Sequence, residues 1–287
     1  MKRLGVLITL FCIIVFAQPA HAIKIGLYTN VDAVRVGASN YAPIINSRTN
    51  RTIYTLSPMR NYEFKAYEDN ILIKVSGRYY SLDTDEIAIR PESNGFVSAK
   101  NRWYRGIFII KNRNGMLTLI NKLDIESYIQ GVVPAEMPSS WAYEAHKAQA
   151  IAARSYALAN LGKRGAYGYD LKDTPEDQAY NGASAETKQT NQAVADSYGI
   201  VLIYDLKIIP AYYSASAGGQ SKTWEKQLPY IRSVPSYDGN VKRNGHGVGM
   251  SQHGANNLAK QGYNAYQILQ YFYKDIRFAR IKQDYYK

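Results

Sequence analysis

Short stretches in which apolar and polar residues alternate run through the first part of the chain, up to about Asn121. Residues 23–28, 62–67 and 71–75 are rich in β-branched and aromatic side chains, which is typical of strands. Clusters of Asn, Ser, Gly and Pro between them predict turns. Asn114 and Gly115 separate two further apolar stretches, and both tolerate the positive φ of a tight hairpin. The pattern predicts a predominantly β N-terminal half.

The apolar period changes after Pro138. Apolar residues then recur at steps of three and four, as on one face of a helix: Trp141, Ala145, Ala148, Ala152, Tyr156 and Ala159. Ser139 or Ser140 is a candidate N-cap, and Gly162 is a candidate stop. The many alanines predict close packing against a neighbouring element, which we expect to be a sheet.

The rest of the chain mixes both periods. Further helices are predicted at 184–196, 255–260 and 265–274, and strands at 200–204 and 208–214. Strands and segregated helices together predict an α+β fold. Its N-terminal half is predominantly β, and its C-terminal half is α+β with one long Ala-rich helix and a substrate groove.

The first residues have the three parts of a secretory signal. Lys2 and Arg3 precede the uncharged run 4–17, and Ala20-His21-Ala22 forms a cleavage site. We expect cleavage after Ala22 and a location outside the cytoplasmic membrane, either secreted or in the periplasm or cell envelope. The apolar run is shorter than the roughly 20 residues of a membrane-spanning helix. Retention as an uncleaved anchor is the alternative, and it is the only membrane association expected.

Composition narrows the choice of partners. Cleavage would remove Cys12, the only cysteine, so the mature protein would have neither a disulfide nor a thiolate site. The net charge of +12 suits acidic wall polymers or anionic lipid, or it serves only solubility. Zinc-finger spacing and basic helices are missing from the sequence, so no nucleic-acid partner is expected. The 26 tyrosines suit stacking on sugars, although many must belong to the core.

Glu136 is the first candidate for chemistry. It is flanked by apolar residues in Val-Val-Pro-Ala-Glu-Met-Pro. An apolar pocket disfavours the charged carboxylate and raises its pKa, which suits a general acid at neutral pH. The alternative is a structural acid that caps the following helix or pairs with Arg154.

Two glycine-rich segments, 214–219 and 244–254, are the next candidates. Glycine allows the backbone to approach a ligand closely. The second segment lacks the Gly-Lys-Ser/Thr of a phosphate loop, and the first lacks the Gly-x-Ser-x-Gly of a serine hydrolase. His246 and His253 are seven residues apart with no carboxylate between them, which disfavours a metal site. We expect no metal and no cofactor.

Six ordered blocks carry a family resemblance: LDIESYIQGVVPAEMP (123–138), KAQAIAARSYAL (147–158), QAYNG (178–182), YSASAGG (213–219), PYIRSV (229–234) and GHGVGMSQHGA (245–255). Together they resemble the core of the stage II sporulation protein D/LytB family, from roughly residue 105 to the C-terminus. The resemblance implies a signal peptide at 1–22, a β-rich region at 23–104 and a catalytic domain at 105–287.

The resemblance also implies an activity, that of a peptidoglycan lytic transglycosylase in cell-wall remodelling. Sporulation is one setting that the resemblance implies for this activity. Glu136 would protonate the glycosidic oxygen and then deprotonate the muramic acid C6 hydroxyl, which closes a 1,6-anhydro ring. No second carboxylate is then needed, unlike in two-acid glycosidases. Residues expected to bind the sugars are Arg154, Gln178, Tyr180, Ser214, Ser216, His246, Ser251 and Gln252.

The family also offers a non-enzymatic alternative. Some members are amidase enhancers, so this chain could bind wall glycan and stimulate a separate cell-wall amidase. Peptidoglycan glycan strands are the expected partner in both cases. Some members bind zinc through Cys and His near the Gln-x-Tyr block, but residues 170–180 contain neither. Tyr213 also stands where a His often precedes the serine-glycine block.

Overall fold

The computed structural model describes residues 15–16, 22–224 and 226–281. The predicted signal peptide, including Cys12, lies almost wholly outside these residues. Within the described part, no helix is both long and apolar enough to cross a membrane. The strands are β1 Val15–Phe16, β2 Ile23–Val31, β3 Ala33–Ala38, β4 Ala42–Asn46, β5 Thr52–Leu56, β6 Asn61–Tyr67, β7 Asn70–Val75, β8 Arg78–Ser81, β9 Glu86–Ile89, β10 Val97–Ala99, β11 Arg102–Tyr104, β12 Ile107–Arg113, β13 Met116–Leu123, β14 Leu171–Lys172, β15 Ile200–Tyr204, β16 Lys207–Ile208, β17 Tyr213–Ser214, β18 Met250–Ser251 and β19 Arg277–Ile281.

The helices are α1 Ile125–Glu136, α2 Tyr143–Ala159, α3 Lys188–Asp196, α4 Gln252–Lys260 and α5 Ala265–Phe272, with 3-10 turns at Gly165–Tyr167 and Gly182–Ala185. The predicted α+β class is confirmed. Strands predominate in the N-terminal half, and the helices follow β13.

Two sheets make up most of the N-terminal half. One has the order β11-β10-β3-β6-β7-β8, and the other β14-β2-β13-β12-β9-β4-β5. Their apolar faces share one core, in which Phe64 and Ile73 of the first sheet lie with Ile44 and Phe108 of the second. A smaller sheet, β1-β19-β15-β16, and the parallel pair β17-β18 belong to the C-terminal half. The alternating pattern therefore marks a two-layer core.

The β12–β13 hairpin is confirmed at the predicted turn. Ile107 to Arg113 pair with Met116 to Lys122 in an unbroken antiparallel register. Asn114 and Gly115 have φ of 53° and 76°, the left-handed values that such a turn requires.

Helix α1 was not predicted, and this is a correction. Asp124 caps it by accepting a hydrogen bond from the Ser127 amide at 2.9 Å. Its β-branched residues and Pro134 hide the helical period, because α1 is buried on most of its surface and lacks a polar face. Glu136 is consequently the last residue of a helix and does not precede a capped one.

Helix α2 is confirmed as the long Ala-rich helix, but the predicted caps are wrong. It begins at Tyr143 after Ala142, which has no capping side chain. The Ala142 amide is instead satisfied by Asn256 Oδ1 of α4 at 2.9 Å. The small side chains let α2 pack against all four other helices and also against β15. The helix predicted from residue 184 starts at Lys188, where Thr187 and Thr190 form a capping box.

Candidate active site around Glu136

Glu136 lies at the C-terminal end of α1, half-buried, with its carboxylate surrounded by neutral donors. Its Oε1 accepts from the Ala179 amide at 2.8 Å and from the Tyr213 hydroxyl at 3.4 Å. Its Oε2 accepts from Gln252 Nε2 at 3.1 Å. These contacts join α1 to the 173–184 segment, to β17 and to α4. The alternative roles of capping α2 and pairing with Arg154 are therefore wrong.

The pKa of the Glu136 carboxyl is raised above its ordinary value. Burial is the main cause, because it disfavours the charged form. The hydrogen bonds from Ala179, Gln252 and Tyr213 lower the pKa, but they do not outweigh burial. Within the described residues, no charged group contributes to this shift and no salt bridge reaches Glu136. Its carboxyl therefore holds a proton at higher pH than an exposed glutamate does.

A buried chain of hydrogen bonds orients the Tyr213 hydroxyl. Gln178 is fully buried, and its Nε2 donates to Tyr213 Oη at 2.7 Å and to the Ala153 carbonyl at 3.2 Å. Gln178 Oε1 accepts from the Tyr128 hydroxyl at 3.2 Å. Because both amide hydrogens are committed, Tyr213 accepts from Gln178 and turns its own proton toward Glu136.

The two glycine-rich segments meet beside Glu136. β17 and β18 pair in parallel, Tyr213 with Met250 and Ser214 with Ser251, so Tyr213 and Gln252 approach the carboxylate together. Gly249 has a φ of 74°, and a Cβ there would lie only 1.9 Å from the Tyr212 carbonyl oxygen. Glycine is required at this position for the strands to pair.

Asp238 holds these segments in place, and the sequence analysis missed it. Its Oδ2 accepts from the amides of Ala217, Gly218 and Gly219 at 2.7, 2.6 and 3.3 Å, and from Ser236 Oγ at 2.7 Å. Its Oδ1 accepts from Ser251 Oγ. Burial acts to raise the pKa of Asp238, but these hydrogen bonds outweigh it and lower the pKa. Neither motif spacing nor hydropathy marks this residue.

The predicted site residues divide into two groups. Gln252 contacts Glu136 directly, Gln178 acts through Tyr213, and His246 is exposed with its ring 5.9 Å from that of Tyr212. The His246 Nδ1 accepts from the Val248 amide at 2.9 Å, which leaves the proton on Nε2. Partial desolvation of the ring, and then Lys222, lower the pKa of His246.

Four of the other predicted sugar contacts, Arg154, Tyr180, Ser216 and Ser251, are corrected, because their side chains are buried and engaged within the protein. Arg154 is 0% exposed and forms a two-point ion pair with Glu126 at 2.6 and 2.7 Å. Tyr180 is 1% exposed and donates to Asn121. The Ser216 hydroxyl donates a hydrogen bond to the Lys242 carbonyl and accepts one from the Asn244 amide, and Ser251 caps α4. Ser214 is 7% exposed, and its hydroxyl has no protein partner among the described residues.

Aromatic rings pack against the chain neighbours of Tyr213 and Gln252, and sequence reasoning did not assign them to the site. Tyr212 packs edge-on against Trp224 at 5.3 Å between ring centres. Trp141 packs against His253, which follows Gln252, at 4.7 Å. Trp224 is 40% exposed. Aromatic rings of this kind can stack on sugars.

Metal ligands are not gathered at this site. Among residues 15–16, 22–224 and 226–281, no three His, Cys, Asp or Glu side chains are close enough to hold an ion. The chemistry available at the site is therefore that of one carboxyl group, neutral hydrogen-bond donors and aromatic surfaces.

Comparison with known proteins relates part of this chain to one family. Residues 113–204, which include α1, α2 and α3, match the family model described as Stage II sporulation protein. The chain is 39% identical over 107 residues to the amidase enhancer of Bacillus subtilis, covering 36% of this chain and 14% of that protein. It is 32% identical over 136 residues to stage II sporulation protein D of Bacillus amyloliquefaciens, covering 41% of this chain and 40% of that protein.

A longer match is to an uncharacterized protein of Brachyspira hyodysenteriae, 30% identical over 201 residues, or 64% of this chain and 54% of that protein. The chain thus spans about half or less of the length of these relatives. The matched region nevertheless includes the helix that ends in Glu136 and the segment whose amide binds it. Through residues 113–204 the chain is thus similar to the stage II sporulation protein D/LytB family.

Proposed function

We propose that this protein cleaves peptidoglycan glycan strands as a lytic transglycosylase, in cell-wall remodelling outside the cytoplasmic membrane. The observation that carries the proposal is Glu136 itself: a carboxyl with a raised pKa, held by three neutral donors. A general acid must be protonated near the working pH and must lose its proton in the transition state. The donors suit that change, because they stabilise the carboxylate as it forms.

The reaction needs one carboxyl group in two roles. Protonated Glu136 gives its proton to the glycosidic oxygen as the bond from that oxygen to the muramic acid C1 breaks. The C6 hydroxyl of the same sugar attacks C1, and the Glu136 carboxylate takes the hydroxyl proton. A 1,6-anhydro sugar forms, no water is consumed, and Glu136 returns to its starting state. The neutral surroundings of Glu136 favour this route over a two-carboxylate hydrolysis.

Glu136→Gln is the decisive variant. It keeps the shape of the side chain but can neither donate nor accept the proton, so cleavage should fall at least roughly 10²–10⁴-fold. The Gln252 amide can turn to accept from the new amide, so we expect the fold and glycan binding to survive. The assay is mass spectrometry of products from peptide-free glycan strands, with Glu92→Gln, an exposed acid far from the site in sequence, as the matched control.

Anhydromuramyl products from the parent and from Glu92→Gln, but not from Glu136→Gln, would support the proposal. Products with a reducing-end muramic acid would instead mean hydrolysis, and the ring-closing step would be wrong.

The second candidate function is enhancement of a cell-wall amidase, favoured by the match to a protein named amidase enhancer. In that case neither the parent nor Glu136→Gln would cleave glycan, and both would stimulate an amidase equally. Peptidoglycan is the partner under both proposals, so binding alone does not separate them and the product assay does.

A further inference from the structure

A depression of about 630 Å³ lies on the six-stranded sheet of the N-terminal half, away from the Glu136 ligands. This volume is within the range of small-molecule sites, about 300–1,000 Å³. Its walls come from β3, from the start of β6 and from the β10–β11 hairpin. Neither the family resemblance nor the proposed chemistry assigns it a role.

The strand register creates the shape of this depression. Trp103 pairs with Ser98, Ser98 with Gly37 and Gly37 with Asn61, so the four residues form one row across β11, β10, β3 and β6. A Cβ on Gly37 would lie 2.6 Å from Asn61 Oδ1 and 2.7 Å from Ser98 Oγ. Gly37 is therefore the floor, with an amide and a hydroxyl beside it and an indole at the end of the row.

This row has the chemistry of a sugar site. The indole of Trp103 offers an apolar surface for a pyranose ring. Asn61 can both donate and accept hydrogen bonds, and so can the hydroxyl of Ser98. Among the residues that the structure describes, neither of these polar side chains has a hydrogen-bond partner, so both are available to a ligand.

The lining is also strongly basic. It contains Arg35, Arg60, Lys100 and Arg102 and no Asp or Glu. Lys100 pairs with Asp173 at 2.6 Å, and the exposed Arg35 pairs loosely with Glu63 at 3.4 Å. Within the described part of the chain, Arg60 and Arg102 form no salt bridge, although Arg102 helps to lower the pKa of Asp173 and Arg60 lies 5.9 Å from the centre of the Tyr62 ring. An excess positive charge therefore faces the depression, which favours an anionic ligand.

The same chain segment reaches both sites. Asp173 pairs with Lys100, Ser184 Oγ accepts from the Trp103 amide at 2.8 Å, and the Ala179 amide between them binds Glu136. We propose that the depression is a second glycan-binding site, which takes a carboxylate-bearing sugar strand through Trp103, Asn61, Ser98, Arg60 and Arg102. The choice of peptidoglycan as that strand rests on the proposed function, whereas the anionic sugar chemistry does not.

Tryptophan fluorescence can observe this site directly. The chain has three tryptophans, so Trp141→Phe with Trp224→Phe leaves Trp103 as the sole reporter. With Glu136→Gln added to prevent cleavage, three probes are titrated: peptide-free glycan strands, peptide-bearing strands, and a neutral N-acetylglucosamine tetramer. The first two distinguish lactyl carboxylates from peptide carboxylates as the source of the negative charge.

We expect the anionic strands to change Trp103 emission and to bind at least tenfold more tightly than the neutral tetramer, with affinity falling as salt rises. Arg60→Gln with Arg102→Gln should weaken binding by tenfold or more, and Asn61→Ala should weaken it further. Arg78→Gln with Arg51→Gln removes the same charge from exposed positions outside the lining and should leave affinity unchanged. Thermal melting confirms that each variant is folded.

Two results would overturn the inference: an unchanged affinity in Arg60→Gln/Arg102→Gln, or equal binding of the neutral tetramer at every salt concentration. Loss of glycan cleavage in the otherwise native protein carrying Glu136→Gln tests the active site separately. A protein that binds anionic strands at Trp103 but never cleaves them would retain this site and lose the proposed activity.

Discussion

Two glutamates of α1 differ in role because their side chains have different surroundings. Glu126, in the first turn of α1, meets Arg154 in a buried ion pair and also accepts from the Gly199 amide at 3.1 Å. Glu136, in the last turn, meets only neutral donors, and burial raises its pKa. The absence of a cation beside Glu136, within the described residues, leaves its proton free to move. This difference could not be read from the sequence, where Arg154 is an equally available partner for either acid.

Tyr213→Phe tests the orienting chain at the scale of one hydroxyl group. The Tyr213 hydrogen bond lowers the Glu136 pKa, so its removal should raise that pKa further and move the alkaline limb of kcat/KM to higher pH. Loss of a hydrogen bond to a developing charge should also slow cleavage roughly tenfold. The measurement is a pH–rate profile, with Tyr271→Phe as the control, since that hydroxyl bonds the Pro235 carbonyl. An unshifted limb would mean that Tyr213 does not contact the acid during turnover.

At the scale of elements, the Glu126–Arg154 pair joins α1 to α2, and Arg154 Nη1 also donates to the Ile200 carbonyl of β15 at 3.0 Å. The Arg154 side chain is fully buried, so its charge has no access to water. The resemblance block around Arg154 is therefore explained by the packing of three elements and not by a sugar contact.

Arg154→Met should destabilise the fold by about 3–5 kcal/mol, because Glu126 is left buried without its partner. Adding Glu126→Gln should recover part of this loss, since the uncompensated charge is then removed. Urea unfolding of the single and double variants gives the two free energies. Equal destabilisation in both variants would show that lost packing, and not the stranded charge, is the cause.

The hydrogen bonds of Asp238 to the two glycine-rich segments are the second feature on which the site depends. Asp238→Asn replaces an acceptor of five hydrogen bonds with an amide that donates, which should cost about 3 kcal/mol and loosen the β17–β18 pair. The folded pKa of Asp238 is lowered, so its contribution is present above the unfolded pKa and is lost as pH falls through the folded value. The stability gap between parent and variant should therefore shrink in acid.

Melting curves from neutral to strongly acidic pH measure this gap, with Asp205→Asn, in an exposed turn, as the control. A gap that stays constant with pH would mean that Asp238 does not act through its charge.

At the scale of the whole molecule, the segment 173–184 connects the β-rich N-terminal half to the helices. It reaches Lys100 through Asp173, the β11 backbone through Ser184 and the active carboxyl through the Ala179 amide. The proposed second glycan site and Glu136 thus share one support. A single strand held at both points would be presented to the acid along its length, which agrees with a polymeric substrate.

The sequence by itself determined the α+β class, the predominantly β character of the first half, the Asn114-Gly115 hairpin and the Ala-rich helix, because these follow from hydrophobic period and turn chemistry in neighbouring residues. The six ordered blocks also singled out Glu136. Only the tertiary structure decided which residues surround it. Tyr213, Gln252 and Ala179 are up to 116 residues from Glu136 along the chain, and the strand pairing that brings them together leaves no local signal. Only the tertiary structure also showed that Arg154 and Tyr180 do not contact a ligand, because their buried side chains have no surface left for one.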